Sequence, residues 1–158
     1  PAFALEPAQL DRAYREIQSK IHPDRFAHAG EAERRASMQW TTQVNEAYRT
    51  LKSPVQRAAY LLGLNGVDVA LETNTAMPHD FLVEQMDLRE RLEVARDADA
   101  LVRLEQELFG LKEGLQAQIA ECIDGRRDYR GAADLVRRLM FLDKLDDEIN
   151  AAYETLEA

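Results

Sequence analysis

Seven apolar residues, Leu101, Leu104, Leu108, Leu111, Leu115, Ile119 and Cys122, recur at steps of three and four along one stretch of the chain. That spacing follows the turn of an α-helix and paints one continuous stripe along its side. A stripe of this length has to be covered by other helices, which commits the chain to helix-on-helix packing. Asp97 to Asp99 marks its start, and Asp124-Gly125 closes it, with the glycine suited to a left-handed C′ position. An earlier stretch from about Met77 carries Phe81, Leu88, Leu92 and Ala95 at helical spacing. A later one carries Leu135, Leu139, Leu142, Ile149, Tyr153 and Leu156. Three amphipathic helices with short turns predict a three-helix bundle over residues 77–158.

The amino-terminal part reads as a helical hairpin. Leu10, Tyr14, Ile17 and Ile21 form one face of a helix from Ala8 to Ile21. Pro23 stops it, because proline disfavours the α conformation at His22 and supplies no N–H. After a loop with Gly30, a second helix is expected from Glu31 to Leu51, with Ala36, Trp40, Val44, Ala47, Tyr48 and Leu51 on one side. Ser53-Pro54 breaks it and starts a short third helix, Val55 to Leu62. Gly63, Asn65 and Gly66 then punctuate the chain, so residues 1–66 read as one part and 67–76 as a linker. The fold class is all-α.

Composition narrows what such a chain can do. Hydrophobic residues make up 46% of the 158 and charged residues 31%, as in a domain with a packed core. No stretch reaches the roughly 18 apolar residues that span a bilayer, and no basic-then-apolar leader opens the chain. A lone cysteine allows no internal disulfide framework and fits a reducing cytoplasm. The net charge of −9 makes nucleic acid a poor partner, since such binding depends on neutralising phosphates. The charge is also lopsided. Residues 1–66 carry nine Lys and Arg against seven Asp and Glu, whereas residues 67–158 carry eleven against twenty-two. Opposite electrostatic character predicts different partners for the two parts.

His22-Pro23-Asp24, followed by Arg25, is the sharpest local motif. The proline makes a stiff corner that presents an imidazole and a carboxylate together. The preceding helix adds Arg12, Arg15 and Lys20, which lie off its apolar stripe. The same tripeptide alone also fits a simple proline helix stop. A His–Asp pair without an adjacent nucleophile or an oxyanion site makes no catalytic triad. The spacing of His22, Asp24 and His28 matches no familiar metal-ligand pattern, and Asp80 after His79 suits a helix start. Gly-rich phosphate loops are absent. These residues imply no cofactor, no metal and no enzymatic activity.

The first bundle helix carries more apolar residues than its core stripe needs. At 100° per residue, Leu82 and Met86 point 100–140° away from Phe81, Leu88 and Leu92, and Val83 lies farther round. In the last helix Phe141 falls about 100° off its stripe. These four either broaden the bundle core or form one exposed patch. An exposed patch among Glu84, Asp87, Glu90 and Glu93 would favour a basic partner surface.

Several of these segments together resemble a J domain. Tyr14-Arg15-Glu16-Ile17-Gln18-Ser19-Lys20-Ile21-His22-Pro23-Asp24-Arg25 is similar to its second helix and signature loop. Val44-Asn45-Glu46-Ala47-Tyr48-Arg49-Thr50-Leu51, Ser53-Pro54 and Arg57-Ala58-Ala59-Tyr60 are similar to the rest of it. Phe26, Tyr60-Leu61-Leu62, the run from Asp80 to Glu90 and Phe141-Leu142-Asp143-Lys144-Leu145 narrow the resemblance to the HscB family of J-type co-chaperones, in matching order over almost the whole chain. J domains open with a further short helix ahead of the position of Phe3, and that first helix is expected to be missing here. The zinc-binding cysteine extension of some eukaryotic relatives is absent, as in a bacterial-type protein.

The resemblance implies a co-chaperone that binds the iron–sulfur cluster scaffold IscU and delivers it to the DnaK-type chaperone HscA while stimulating its ATPase. It implies that His22, Pro23, Asp24 and Arg25 engage the chaperone, with Arg12, Arg15 and Lys20 as electrostatic contacts. It further implies that Leu82, Val83, Met86 and Phe141 touch the scaffold, with Asp87 and Glu90 as polar neighbours. Val83 is shorter than the long side chain expected at its position. A general J-domain co-chaperone serving diverse unfolded clients is the alternative within the same resemblance, and a helical interaction module is the alternative outside it. A single cysteine cannot supply the four thiolates that usually hold a cluster.

Overall fold

In the computed structural model residues 1–69 and 78–158 are described, and every regular element among them is helical. Most of the expected linker, residues 70–76, and the expected bundle start at Met77 lie outside the described residues. Helix α1 spans Pro7–Ile21, and a 3-10 turn over Pro23–Phe26 leads to α2, Glu31–Lys52. Glu31 and Glu33 in the first turn of α2, with Arg49 and Lys52 in its last, complement the helix dipole. Helix α3, Pro54–Leu64, starts where the Ser53 hydroxyl accepts the Gln56 N–H at 3.3 Å and proline occupies the first turn. Gly66, at φ +79°, takes the left-handed conformation just beyond α3.

The bundle consists of α4 (His79–Val94), α5 (Ala98–Ala120) and α6 (Tyr129–Glu157). Asp97 caps α5 by accepting the Ala100 N–H at 2.8 Å, and Asp128 caps α6 by accepting the Gly131 N–H at 2.9 Å. The end of α5 departs from expectation. Glu121–Gly125 widen into a π turn, in which the Arg126 N–H reaches the Glu121 carbonyl at 2.9 Å. The reversal is thereby displaced past Gly125. Arg127, at φ +53°, takes the left-handed position expected of that glycine.

Two apolar clusters hold the molecule together. One lies within the bundle, where Leu88, Leu104, Leu108, Leu142, Leu145 and Ile149 meet. The other joins Leu61 and Leu62 of α3, Val67 and Val69 to Ile119, Ile123 and Val136 of the bundle. Leu62 and Val136 are completely buried there, and Phe3 from the amino-terminal segment is 3% exposed in the same core. The inward face of α6 is carried by Val136 and Leu145 together with the expected Leu139, Leu142 and Ile149. Leu156 does not join it: in the last turn it edges an open hollow with Leu92 and Leu101.

The α1–α2 hairpin is built differently. Neither helix contains a buried apolar residue, and Ser37 is the one buried side chain of the pair. Tyr14 stacks on Tyr48 with ring centroids 4.1 Å apart, and Tyr14 donates to Asn45 while Tyr48 donates to Asp11. Lys52 Nζ lies 2.7 Å from the Tyr48 hydroxyl and closes this polar seam. The α2 face toward α1 therefore runs through Ser37, Thr41, Val44 and Tyr48. Trp40, Ala36 and Ala47, expected to point inward, are exposed because the seam is rotated away from them. Ile17 on α1 is exposed as well.

Two outcomes follow from this packing. Leu62→Ala should lower the urea unfolding free energy by about 2–5 kcal/mol, and the slowest-exchanging amides of α3 and α6 should lose protection together. Loss confined to α3 would show that the two sides of the shared core open separately. In the hairpin, the hydrogen bond from Tyr48 holds the Asp11 carboxyl below its ordinary 3.8, against a smaller opposing effect of burial and with help from Lys52. A carboxyl depressed by folding stabilises above its unfolded pKa, and that contribution disappears as pH falls through the lower folded value. Tyr48→Phe should return the Asp11 midpoint toward 3.8 in an NMR titration; an unmoved midpoint would assign the effect to the cations Lys52 and Arg15.

Candidate functional site

The His-Pro-Asp corner arises at the carboxyl end of α1. His22 closes the helix through its N–H to the Gln18 carbonyl at 2.9 Å, then turns to ψ 135° ahead of Pro23. Its side chain folds back over the next turn. The Asp24 N–H donates to His22 Nδ1 at 3.2 Å, and an Asp24 carboxylate oxygen lies 3.5 Å from the same nitrogen. With Nδ1 engaged in these contacts, Nε2 is the ring nitrogen left open to a partner. Asp24 is 93% exposed and His22 about half. Arg25 reaches back to the Ser19 carbonyl at 3.2 Å, which fastens the loop to the helix that precedes it.

Arg12, Arg15 and Lys20 are exposed on α1, with Arg15 one turn beyond the seam residue Asp11 and close enough to act on its charge. None of the three forms an ion pair among the described residues. The sequence reading missed one contributor to this corner, Ser37. Its hydroxyl donates to the Ile21 carbonyl, an acceptor that the end of α1 leaves without a helical partner. A buried serine at the seam therefore anchors the residue just before His22; in sequence it is one more polar position on a helix.

The second surface lies on α4. Leu82, Val83 and Met86 are 42%, 52% and 72% exposed, while Phe81 and Leu88 on the other side are buried. The α4 helix thus splits its apolar residues between an inner and an outer face. Asp87 and Glu90 lie among the outer ones, Asp87 paired with Arg91 at 3.6 Å. Val94, 63% exposed, extends this face by one more turn and was also missed; its step of four from Glu90 was the available signal.

Phe141 is half-buried and borders both faces. Its ring meets Phe81 edge to face at 6.0 Å, and the Arg89 guanidinium covers it at 5.1 Å. Arg89 in turn pairs with Glu148 of α6 at 3.0 Å. These contacts bring Phe141 beside the stretch of α4 that carries Leu82 and Met86, although Phe141 presents less surface than they do.

Among the described residues no group of three His, Cys, Asp or Glu side chains is arranged to hold a metal ion. Cys122 is buried, and an Arg126 N–H points at its sulfur at 3.2 Å. No described helix is long and apolar enough to cross a membrane.

Comparison with known proteins agrees with this architecture. Residues 77–150 match the family model described as the HSCB C-terminal oligomerisation domain. A co-chaperone protein HscB homologue of Azoarcus sp. is 48% identical, with 98% of this chain and 89% of the relative covered. The solved structure of chaperone HscB from Vibrio cholerae superposes with a TM-score of 0.84 at 34% identity, covering 98% of this chain and 93% of that one. The crystal structure of human co-chaperone protein HscB superposes with a TM-score of 0.90 at 26% identity, covering 96% and 77%. Two helical parts on one core, the His-Pro-Asp corner and this kinship over nearly the full length lead to one conclusion: the chain belongs to the HscB family of co-chaperones.

Proposed function

We propose that this co-chaperone is an adaptor that captures an IscU-type iron–sulfur cluster scaffold on its bundle and presents it to an HscA-type chaperone engaged by its hairpin. The observation that carries the reading is the outward apolar face of α4, since exposed apolar side chains clustered on one side of a helix whose other side packs into a bundle mark a partner surface. Each such side chain contributes roughly 1.5–3 kcal/mol when a partner covers it, before the costs of association. The scaffold contacts are Leu82, Val83, Met86 and Phe141, with Asp87 and Glu90 drawing a basic partner.

On the hairpin, the basic face of Arg12, Arg15 and Lys20 steers α1 onto an acidic groove of the chaperone. His22, Pro23, Asp24 and Arg25 then make the contact that favours the hydrolysis-competent state. His22 Nε2 is the ring nitrogen offered in that contact, and the exposed Asp24 carboxylate is the acceptor beside it. Holding chaperone and scaffold on one chain raises the effective concentration of each for the other.

The test is steady-state ATPase of an HscA-type chaperone with and without scaffold and this protein. His22→Gln should abolish stimulation and leave calorimetric scaffold affinity unchanged; equal stimulation by the variant and its parent would sink the chaperone half. Leu82→Ala combined with Phe141→Ala should weaken scaffold binding by about tenfold or more. Unchanged affinity would return both residues to the bundle. Stimulation indifferent to the scaffold would mark a general J-domain co-chaperone instead.

A further inference from the structure

Arg57 sits on the inner face of α3 beside Ala58, Leu61 and Leu62, and it is only 8% exposed. A cation in such a place is costly unless its donors are met. Among the described residues no carboxylate contacts it directly. Its Nε–H donates to the Phe3 carbonyl at 2.7 Å, its Nη1–H donates to the Leu51 carbonyl at the end of α2, and its guanidinium lies 4.7 Å from the centre of the Phe3 ring.

Phe3 is gripped from the other side too. Asp124, in the π turn after α5, accepts the Phe3 N–H at 2.7 Å on one carboxylate oxygen and the Ala4 N–H at 2.9 Å on the other. One residue is thus held at its carbonyl by the helix behind the hairpin and at its amide by the bundle. Its ring fills the core that both share. Asp124 also supplies the negative charge that opposes the effect of burial on Arg57. It caps no helix, since Asp97 and Asp128 do that work on either side. Its two bonds to the amino-terminal segment are therefore separable from the folding of the bundle.

We infer that Phe3, Arg57 and Asp124 are positioning residues that fix the direction of the His-Pro-Asp corner relative to the outer face of α4, so that scaffold capture and chaperone stimulation act together. The inference rests on the adaptor reading above. A partner held at a fixed bearing meets the second site at high effective concentration, whereas a partner on a loose joint is spread over many orientations. Leu51, the carbonyl that Arg57 also holds, lies on α2, the helix that backs the corner through Ser37.

Spin labels at Glu33→Cys on α2 and Gln106→Cys on α5, with the buried Cys122 replaced by alanine, read the angle between the two parts in the full chain. The parent should give one narrow distance distribution and Asp124→Ala one about twice as broad, with Asp124→Asn, which keeps one acceptor, in between. Stimulation without scaffold and scaffold affinity should stay within about twofold in Asp124→Ala, while the extra stimulation that scaffold brings should fall about tenfold. A narrow distribution in both variants, or a broad one with the scaffold-dependent gain intact, would overturn the inference. So would loss of scaffold affinity, which would make Asp124 a prop of the bundle fold. If the parent shows no scaffold-dependent gain, the adaptor reading falls and the coupling with it, and the label distances alone then decide whether the clasp fixes the two parts.

Discussion

The Arg57 guanidinium, buried without a direct carboxylate partner among the described residues, is satisfied by the main chain on both sides of it. Its donors meet the carbonyls of Leu51 and Phe3. Hydrogen bonds from a charged group contribute about 1.5–3 kcal/mol net, and an unmet charged donor costs more than that. The geometry of α2, α3 and the amino-terminal segment is consequently linked through a single side chain. Moving any one of them strands a cation in an apolar core. Because Phe3 is bonded in turn to Asp124, the constraint passes from the hairpin into the bundle with no ion pair at contact distance between the two among the described residues.

This arrangement matters because the hairpin has little apolar burial of its own. Its seam is a Tyr14–Tyr48 stack, contributing about 0.5–1.5 kcal/mol beyond area, and a set of hydrogen bonds through Asn45, Asp11, Lys52 and Ser37. The bundle instead buries Leu101, Leu108, Leu145 and Ile149 almost completely. Local stability follows such differences in packing. The α1–α2 tip is the part of the fold that depends on support from outside, and α3 with its buried Arg57 is that support. A polar seam has a compensating property: hydrogen bonds are directional, so the register of α1 against α2 is set more narrowly than by an apolar stripe. The carbonyl of Ile21, fixed by Ser37, is the last atom of that register before His22.

Much of this was legible in the sequence where local rules decide. The Leu101-to-Cys122 stripe, the caps at Ser53 and Asp97 and the stops at Pro23 and Pro54 each depend on neighbours within one or two turns, and the helices fall where those residues put them. The outward turn of Leu82 and Met86 was visible as apolar excess on a wheel. What sequence could not supply is what depends on distant chain. Trp40 and Ala47 read as inward because they are apolar, yet α1 offers the Tyr14 ring, the Asp11 carboxylate and the Ile21 carbonyl, and these select the Ser37–Tyr48 face. Gly125 read as the left-handed residue until the π turn carried the reversal to Arg127. The Phe3–Asp124 bonds span some 120 residues and leave no periodic trace.

The charge of the two parts takes on meaning once pairs are placed. Four carboxylates are paired between the bundle helices: Glu148 with Arg89, Glu107 with Arg91, and Asp143 and Asp146 with Lys112. Lys112 is itself held above its ordinary pKa despite burial, because both carboxylates bond to it. The carboxylates left without an ion pair among the described residues include Glu84, Glu90 and Glu93, all on α4. Negative charge therefore lies beside the apolar face, as part of an acidic surface that also takes in Glu113 on α5 and Asp147 and Glu154 on α6. On α1 the cations Arg12, Arg15 and Lys20, opposite in sign to the α4 carboxylates, also form no ion pair among the described residues. Exposed fields of this kind act through encounter rates and orientation more than through final affinity, and they fade beyond a Debye length of about 8 Å at physiological salt. Apolar contacts on α4 then hold what the carboxylates have brought, so sign selects the partner and shape retains it.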